Sequence, residues 1–392
     1  MIRRLALALA LLFAAGTAPR AEPAAPAALN AAAEAAAPDD SLDLDSSAQP
    51  LGGVLRAPDL WAAYKARFIT EQGRVVDFAN GAISHSEGQG YAMLFAVAAN
   101  DRIAFDRLWG WTRANLMVRD DQLLAWRWEP NARPAVADMN DAADGDILVA
   151  WALTEAAEFW KDESYRVAAR RIAVEVGRKL LLLGGKDGPL LLPAVAGFAR
   201  EDRADGPVIN LSYWIFPAFQ RLPDVAPEVD WSGLIHSGLR ELKAARFGPA
   251  SLPSDWISAR DNKTAPADGF PRVFSYNAIR IPLYMAMAGV GERADYAPFV
   301  TLWAKDRTED RTKDRATDRA LATIDVDTGA ASKPLGEPGY QAIPALLACL
   351  VEKRAPGFDL FAPAIHENYY PATLRVFAAV ALRLRHESCV KS

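Results

Sequence analysis

The tract Ser84-His85-Ser86-Glu87-Gly88-Gln89-Gly90-Tyr91 sets a single carboxyl, Glu87, just ahead of an apolar run, Ala92-Met93-Leu94-Phe95-Ala96-Val97. Glycine permits bends and close backbone approach that other residues resist, so the tract reads as a glycine-flanked bend leading into a helix. A carboxyl held against an apolar wall has its charged form disfavoured and can donate a proton near neutral pH. The bland alternative for a lone Glu between glycines is a solvated turn. The rest of the chain decides between them.

Carboxylates, tryptophans and tyrosines recur in the other loop-like stretches. Leu124-Ala125-Trp126-Arg127-Trp128 places two indoles on alternate positions. The acid-rich stretch Asp138 to Asp146 follows and ends where a helix begins. An Asp at a helix start is commonly a cap, which accounts for one of these acids but not for a second two residues on. Asn210-Leu211-Ser212-Tyr213, Ser254-Asp255-Trp256, Ser275-Tyr276-Asn277-Ala278-Ile279-Arg280 and Asn368-Tyr369-Tyr370 continue the theme. Sugars present apolar C–H faces that stack on aromatic rings, and hydroxyls that Asp, Asn and Arg can bind. Cleaving a glycosidic bond needs one protonated carboxyl for the leaving oxygen and a second carboxylate as base or nucleophile. No phosphate-binding glycine loop, nucleophile elbow or Cys/His pairing competes with that chemistry.

These residues need a scaffold, and its signals are helical. In Tyr165 to Leu182, Ala169, Ile172, Ala173, Val176 and Leu180 share one face, with Arg170, Arg171, Glu175 and Arg178 largely away from it. Leu374, Phe377, Ala378, Ala381 and Leu384 repeat the pattern, as do Trp61, Tyr64 and Phe68. Comparable runs fall near 88–99, 101–117, 145–160, 212–221, 229–245, 277–290, 294–304 and 338–352, giving about eleven helices. Strand patterns are few, Val75-Val76 and Leu190 to Leu192 being the best. The expected fold is all-α.

The 392 residues, 51% of them hydrophobic, suffice for one large core or two smaller ones. Residues 1–21 read as an export signal, with Arg3 and Arg4, an apolar Leu5 to Ala15 and a small-residue exit at Gly16-Thr17-Ala18. An Ala/Pro-rich stretch, 22–54, reads as a flexible leader, and the globular domain is expected over 55–388. A four-residue charged repeat at 305–320 lacks any apolar stripe and reads as a solvated insertion. A net charge of −5 argues against nucleic acid as a partner. Cys349 and Cys389 could pair in an oxidising compartment. The four histidines are scattered without metal-ligand spacing, so neither metal nor cofactor is expected.

Taken in order, the motifs resemble the family-8 glycoside hydrolases, and especially the periplasmic cellulases that accompany bacterial cellulose synthases. The resemblance runs from about Trp61 to Leu384. It includes Gly73 to Asp77, Ser86 to Tyr91, Ala99-Asn100-Asp101, Phe105-Asp106, Leu124 to Trp128, Ala142 to Asp146, Asn210 to Tyr213 and Ser275 to Arg280. It implies an (α/α)6 barrel and an inverting hydrolase of β-1,4-glucan. By that resemblance Glu87 is the general acid, Asp144 binds and distorts the sugar beside the scissile bond, and Tyr213 and Arg280 position the attacking water and its base. Trp126, Tyr276, Tyr369 and Tyr370 fall on substrate-binding aromatic positions, with Phe198 at a further platform. It also implies a periplasmic or secreted monomer that associates functionally with a cellulose synthase complex.

Two positions depart from the family. Asn277 stands where many members carry the basic Asp, and a neutral amide cannot take a proton from water. The alternatives are Asp141, Asp255 and the acids of 305–327, including Asp325 and Asp327. Ala143 replaces a Ser or Thr, losing a hydroxyl beside Asp144. Three readings follow: an active endoglucanase with a relocated base, a glucan-binding homologue without turnover, or a hydrolase of chitosan, xylan or mixed-linkage glucan.

Overall fold

A computed structural model describes residues 42, 44–183, 188–305, 321–363 and 365–389, all within one compact unit, residues 40–392. The export signal, most of the leader and residues 306–320 of the charged repeat lie outside the described residues.

Eleven α-helices occur among the described residues: α1 Pro58–Phe68, α2 Ser86–Ala98, α3 Arg102–Asn115, α4 Ala143–Trp160, α5 Glu163–Lys179, α6 Phe216–Arg221, α7 Trp231–Ala244, α8 Ile281–Ala288, α9 Arg293–Lys305, α10 Ala342–Glu352 and α11 Tyr369–Arg385. Their burial separates two classes. Nearly every residue of α2, of α8 and of the first fifteen positions of α4 is buried, whereas α3, α5 and α7 bury one stripe each. A helix apolar all round belongs inside a core, and an amphipathic one belongs around it. The inner ring is α2, α4, α6, α8, α10 and α11, closed by contact of α11 with α2, and α1, α3, α5, α7 and α9 lie outside. The fold is the (α/α)6 barrel, with the non-helical stretches 353–363 and 365–368 where a sixth outer helix would stand.

The outer helices α3, α5 and α7 start on aspartate caps, Asp101, Asp162 and Asp230, each accepting a backbone N–H at 2.8–3.0 Å. The start of α4 differs from expectation. Its cap position is Ala142, and Asp144 and Asp146 sit inside the first turn, where neither caps. Asp146 instead accepts the Leu124 N–H at 2.8 Å.

The expected bend at Glu87 is also helix. Glu87 is the second residue of α2, whose cap is His85, its Nδ1 accepting from Gly88 N at 3.0 Å. The glycines serve packing rather than bending. A β-carbon at Gly90 would sit 2.6 Å from Leu148 Cβ, and one at Gly145 would collide with Ser86 Oγ. Their absence lets α2 and α4 lie side by side.

Ten short strands occur among the described residues: β1 Ser84–His85, β2 Arg127–Trp128, β3 Leu181–Leu182, β4 Leu190–Leu191, β5 Val208–Ile209, β6 Ile257–Ser258, β7 Ala265–Pro266, β8 Val273–Phe274, β9 Leu321–Asp325 and β10 Ala331–Leu335. Leu190-Leu191 forms the strand its pattern predicts, pairing with β3, while Val75 makes only an isolated bridge to Ile69. The sheet that matters is β10-β9-β8, antiparallel throughout.

Packing begins upstream of the expected boundary at residue 55. Leu51 is 1% exposed and donates its N–H to buried Glu155 at 2.9 Å, and Gln220 and Arg385 bind the carbonyls of Ser46 and Ser47. Cys349 of α10 is disulfide-bonded to Cys389. No described helix is long and apolar enough to cross a membrane.

Candidate active site

The inner helices point their N-terminal ends at one cavity of about 720 Å³. Glu87 and Asp144 occupy the first turns of α2 and α4, Asn277 and Arg280 immediately precede α8, and Tyr369 and Tyr370 open α11. Tyr213 lies just ahead of α6, and Glu337 and Tyr340 ahead of α10. Helix N-termini present unpaired N–H groups and partial positive charge, so this end of the barrel favours carboxylates and oxygen-rich ligands. Nine of the site residues drawn from the sequence, Glu87, Trp126, Asp144, Tyr213, Tyr276, Asn277, Arg280, Tyr369 and Tyr370, line this one cavity.

Arg280, 3% exposed, is the hub. Its Nη1 ion-pairs with Glu87 Oε1, lies 3.5 Å from Asp144 Oδ2 and donates to the Tyr91 hydroxyl at 2.7 Å. Its Nη2 donates to Ser212 Oγ at 2.8 Å and to Asn277 Oδ1 at 3.0 Å. Tyr91 in turn donates to Glu87 Oε1 at 2.8 Å. Glu87 Oε1 is therefore held from two sides, while Oε2 lies 3.7 Å from His85 Nδ1. Burial pushes the pKa of His85 down to about 4, with Arg280 adding to the effect, so the imidazole is neutral and that contact is no ion pair.

Asp144 is pushed up to about 7, chiefly by burial, with Asp146 and Asp141 as like charges raising it further. Its one strong donor is Gly145 N at 2.8 Å. Such a group sits between its two protonation states near neutral pH and can trade hydrogen bonds with a sugar hydroxyl in either form.

The aromatic positions are anchored. Trp126 donates its indole N–H to Asp138 at 2.8 Å and its backbone N–H to Asn140 O at 3.0 Å. Its partner in the alternation, Trp128, turns away from the cavity onto Trp111 and Arg74. Tyr276, Tyr340 and Tyr370 form a three-ring cluster with centroids 6.1–6.3 Å apart, and Tyr370 donates to Tyr276 O. Phe198 does not line the cavity but stacks on Trp256 at 5.4 Å, with Tyr213 edge-on to the same indole at 6.3 Å.

None of the four named alternatives for the base reaches the cavity. Asp255 accepts from Ser275 N, Ser275 Oγ and Ala278 N, so its carboxylate pins the loop that carries Asn277. Asp141 is buried against Val195 N and Arg119. Asp325 accepts from Thr328, and Asp327 pairs with Arg272 at 2.6 Å. Among the described residues the cavity's other carboxylates are Asp77 and Glu337; Asp77 falls within the Gly73 to Asp77 motif without a role, and Glu337 belongs to none of the motifs above. Glu337 had a signal: like Glu87 and Asp144 it stands at the start of an apolar helical run. Among the described residues no cluster of three His, Cys, Asp or Glu could hold a metal ion.

The chain matches the family described as Glycosyl hydrolases family 8 over residues 52–382. A probable endoglucanase of Novacetimonas hansenii is 34% identical over 343 residues, covering 86% of this chain and 94% of that one. An endoglucanase of Cellulomonas uda is 42% identical over 232 residues, which span 59% of this chain and 63% of the relative. The solved endo-β-1,4-glucanase CMCax of Acetobacter xylinum is 32% identical, with a TM-score of 0.74, covering 85% of this chain and 99% of that one.

Proposed function

The chain belongs to glycosyl hydrolase family 8, and we propose that it is an exported endo-β-1,4-glucanase acting with inversion on cellulose-like chains. The observation that carries this reading is the convergence of Glu87 and Asp144 on one nitrogen of Arg280 inside a cavity walled by Trp126, Tyr213, Tyr276, Tyr369 and Tyr370. Glucose rings stack on the aromatic walls. Asp144 grips the sugar beside the scissile bond, and Glu87 protonates the departing oxygen as water attacks the anomeric carbon from the opposite face. Arg280 and Tyr213 orient that water.

Export is supported by the basic-then-apolar start of the sequence and by the Cys349–Cys389 disulfide, which suits an oxidising compartment. The enzyme works as a monomer beside a cellulose synthase complex, trimming the emerging glucan. Purified protein is expected to lower the viscosity of carboxymethylcellulose and to release the α-anomer first, read by NMR. Glu87→Gln should slow this by about 10³-fold or more. Full activity in that variant, or initial release of the β-anomer, would overturn the acid assignment or the inversion respectively.

Asn277 favours a second reading, a glucan-binding homologue without turnover. It predicts cello-oligosaccharide binding with no hydrolysis, and a gain of activity in Asn277→Asp.

A further inference from the structure

We propose that Glu337 is the general base, the carboxylate that takes over from the one missing at Asn277; this rests on the hydrolase reading above. Among the described residues four carboxylates line the cavity: Asp77, Glu87, Asp144 and Glu337. Glu87 and Asp144 share one nitrogen of Arg280, too close to bracket both a water and a sugar carbon, which takes roughly 6.5–9.5 Å. Asp77 is bridged to Ile83, next to β1, and so belongs to the wall that carries Glu87. Glu337 arrives beside the segment that carries Tyr276 and Asn277.

The sheet places it there. β8 and β10 both run antiparallel to β9, so they run parallel to each other and leave the sheet at the same end. β8 delivers Tyr276 and Asn277, and β10 delivers Glu337. Side chains confirm that the two exits stay together: the Tyr340 and Tyr276 rings lie 6.3 Å apart, and Lys333 Nζ lies 5.5 Å from the centroid of Tyr276. Asn368 holds the carboxylate with its backbone N–H on Oε2 and its amide on Oε1 at 2.9 Å. Each oxygen keeps a lone pair for a water.

In the step, Glu337 takes a proton from water while the water oxygen bonds to the anomeric carbon. The glycosidic C–O bond breaks, and its oxygen takes the proton of Glu87. Both carboxyls then return to their starting states by exchange with solvent.

A substrate that leaves without a proton separates acid from base. On a 2,4-dinitrophenyl cello-oligoside, Glu87→Gln should recover to within about tenfold of wild type. Glu337→Gln, which keeps its shape and an acceptor for Asn368, should stay down about 10³-fold on both this substrate and carboxymethylcellulose, with KM within threefold. Its melting temperature should be unchanged, and Glu337→Asp should keep a partial rate. A wild-type rate in Glu337→Gln overturns the assignment, as does a loss on both substrates in Asp77→Asn with Glu337→Gln intact. A wild-type protein that turns over neither substrate fails the hydrolase reading itself, and this assignment with it.

Discussion

Helix α4 carries a carboxylate toward each end, and each meets a buried arginine, but the two pairs are finished differently. Glu155 lies about 16 Å along the axis from Asp144. Its Oε1 accepts from Arg221 Nε at 2.7 Å and Trp151 Nε1 at 3.0 Å, and its Oε2 accepts Leu51 N. Arg221 is completed by Glu158 and by Asp224 at 2.9 Å. At the other end Asp144 Oδ2 lies 3.5 Å from Arg280, and that guanidinium is shared with Glu87 and Asn277. Where every oxygen is matched by a protein donor, the cluster is structural. Where oxygens are left short of donors at a cavity, the missing partners belong to a ligand. The difference separates a buried ion pair closed within the protein from one left open at the cavity.

The sharpest way to break this contrast is at the closed end. Glu155→Gln leaves Arg221 without its most buried counter-charge, and removing one partner of a buried pair costs about 3–5 kcal/mol. Chemical denaturation should show a loss of that order, with the turnover of the remaining folded protein unchanged. Equal damage to turnover would mean that the two ends of α4 are coupled and that the contrast is false.

Much of this layout was legible before any coordinates. The apolar runs predicted the helices because an inner helix buries all its faces and an outer one a stripe. Motif order singled out Glu87, Arg280 and the aromatic positions, and the fold gathers them at one cavity. What failed is instructive. Gly88 and Gly90 read locally as a bend, but the need for Gly90 is set by Leu148, far along the chain. Asp141 and Asp255 were visible as acids, yet nothing local says that Val195 and Ser275 already claim their oxygens. Nothing local to Glu337 says that Asn368 holds its carboxylate or that Tyr340 meets Tyr276, since these partners arrive from other segments. Sheet β10-β9-β8 brings two of these exits together, and an all-helical expectation gave it no place.

The open end should respond with the opposite sign. Asp144 has an ordinary unfolded pKa near 4 and a folded one of about 7. Below pH 4 both states hold the proton and nothing is lost. As pH rises from 4 to 7 the unfolded chain ionises while the folded one resists, so stability declines through that window. Asp144→Asn removes the effect. Its melting temperature should match wild type at pH 3.5 and exceed it at pH 8, a gain of about 1–3 kcal/mol. Hydrolysis should meanwhile fall at least about tenfold, since a charged acceptor for the sugar is gone. A stability loss at pH 8 would place Asp144 with Glu155 as a structural acid.

Asn277→Asp is the finest probe, because it changes the charge around Arg280 and little else. With Glu337 as base, the new carboxylate duplicates a function already supplied. It also becomes a third negative group beside one guanidinium, next to Asp144 and Glu87. Like charges in contact hold each other's protons, so the pH–rate profile should shift while the peak rate changes by less than about tenfold. A gain above a hundredfold would mean that the natural chain has no working base, and the cavity would then be a glucan cradle from which catalysis had been lost at a single amide.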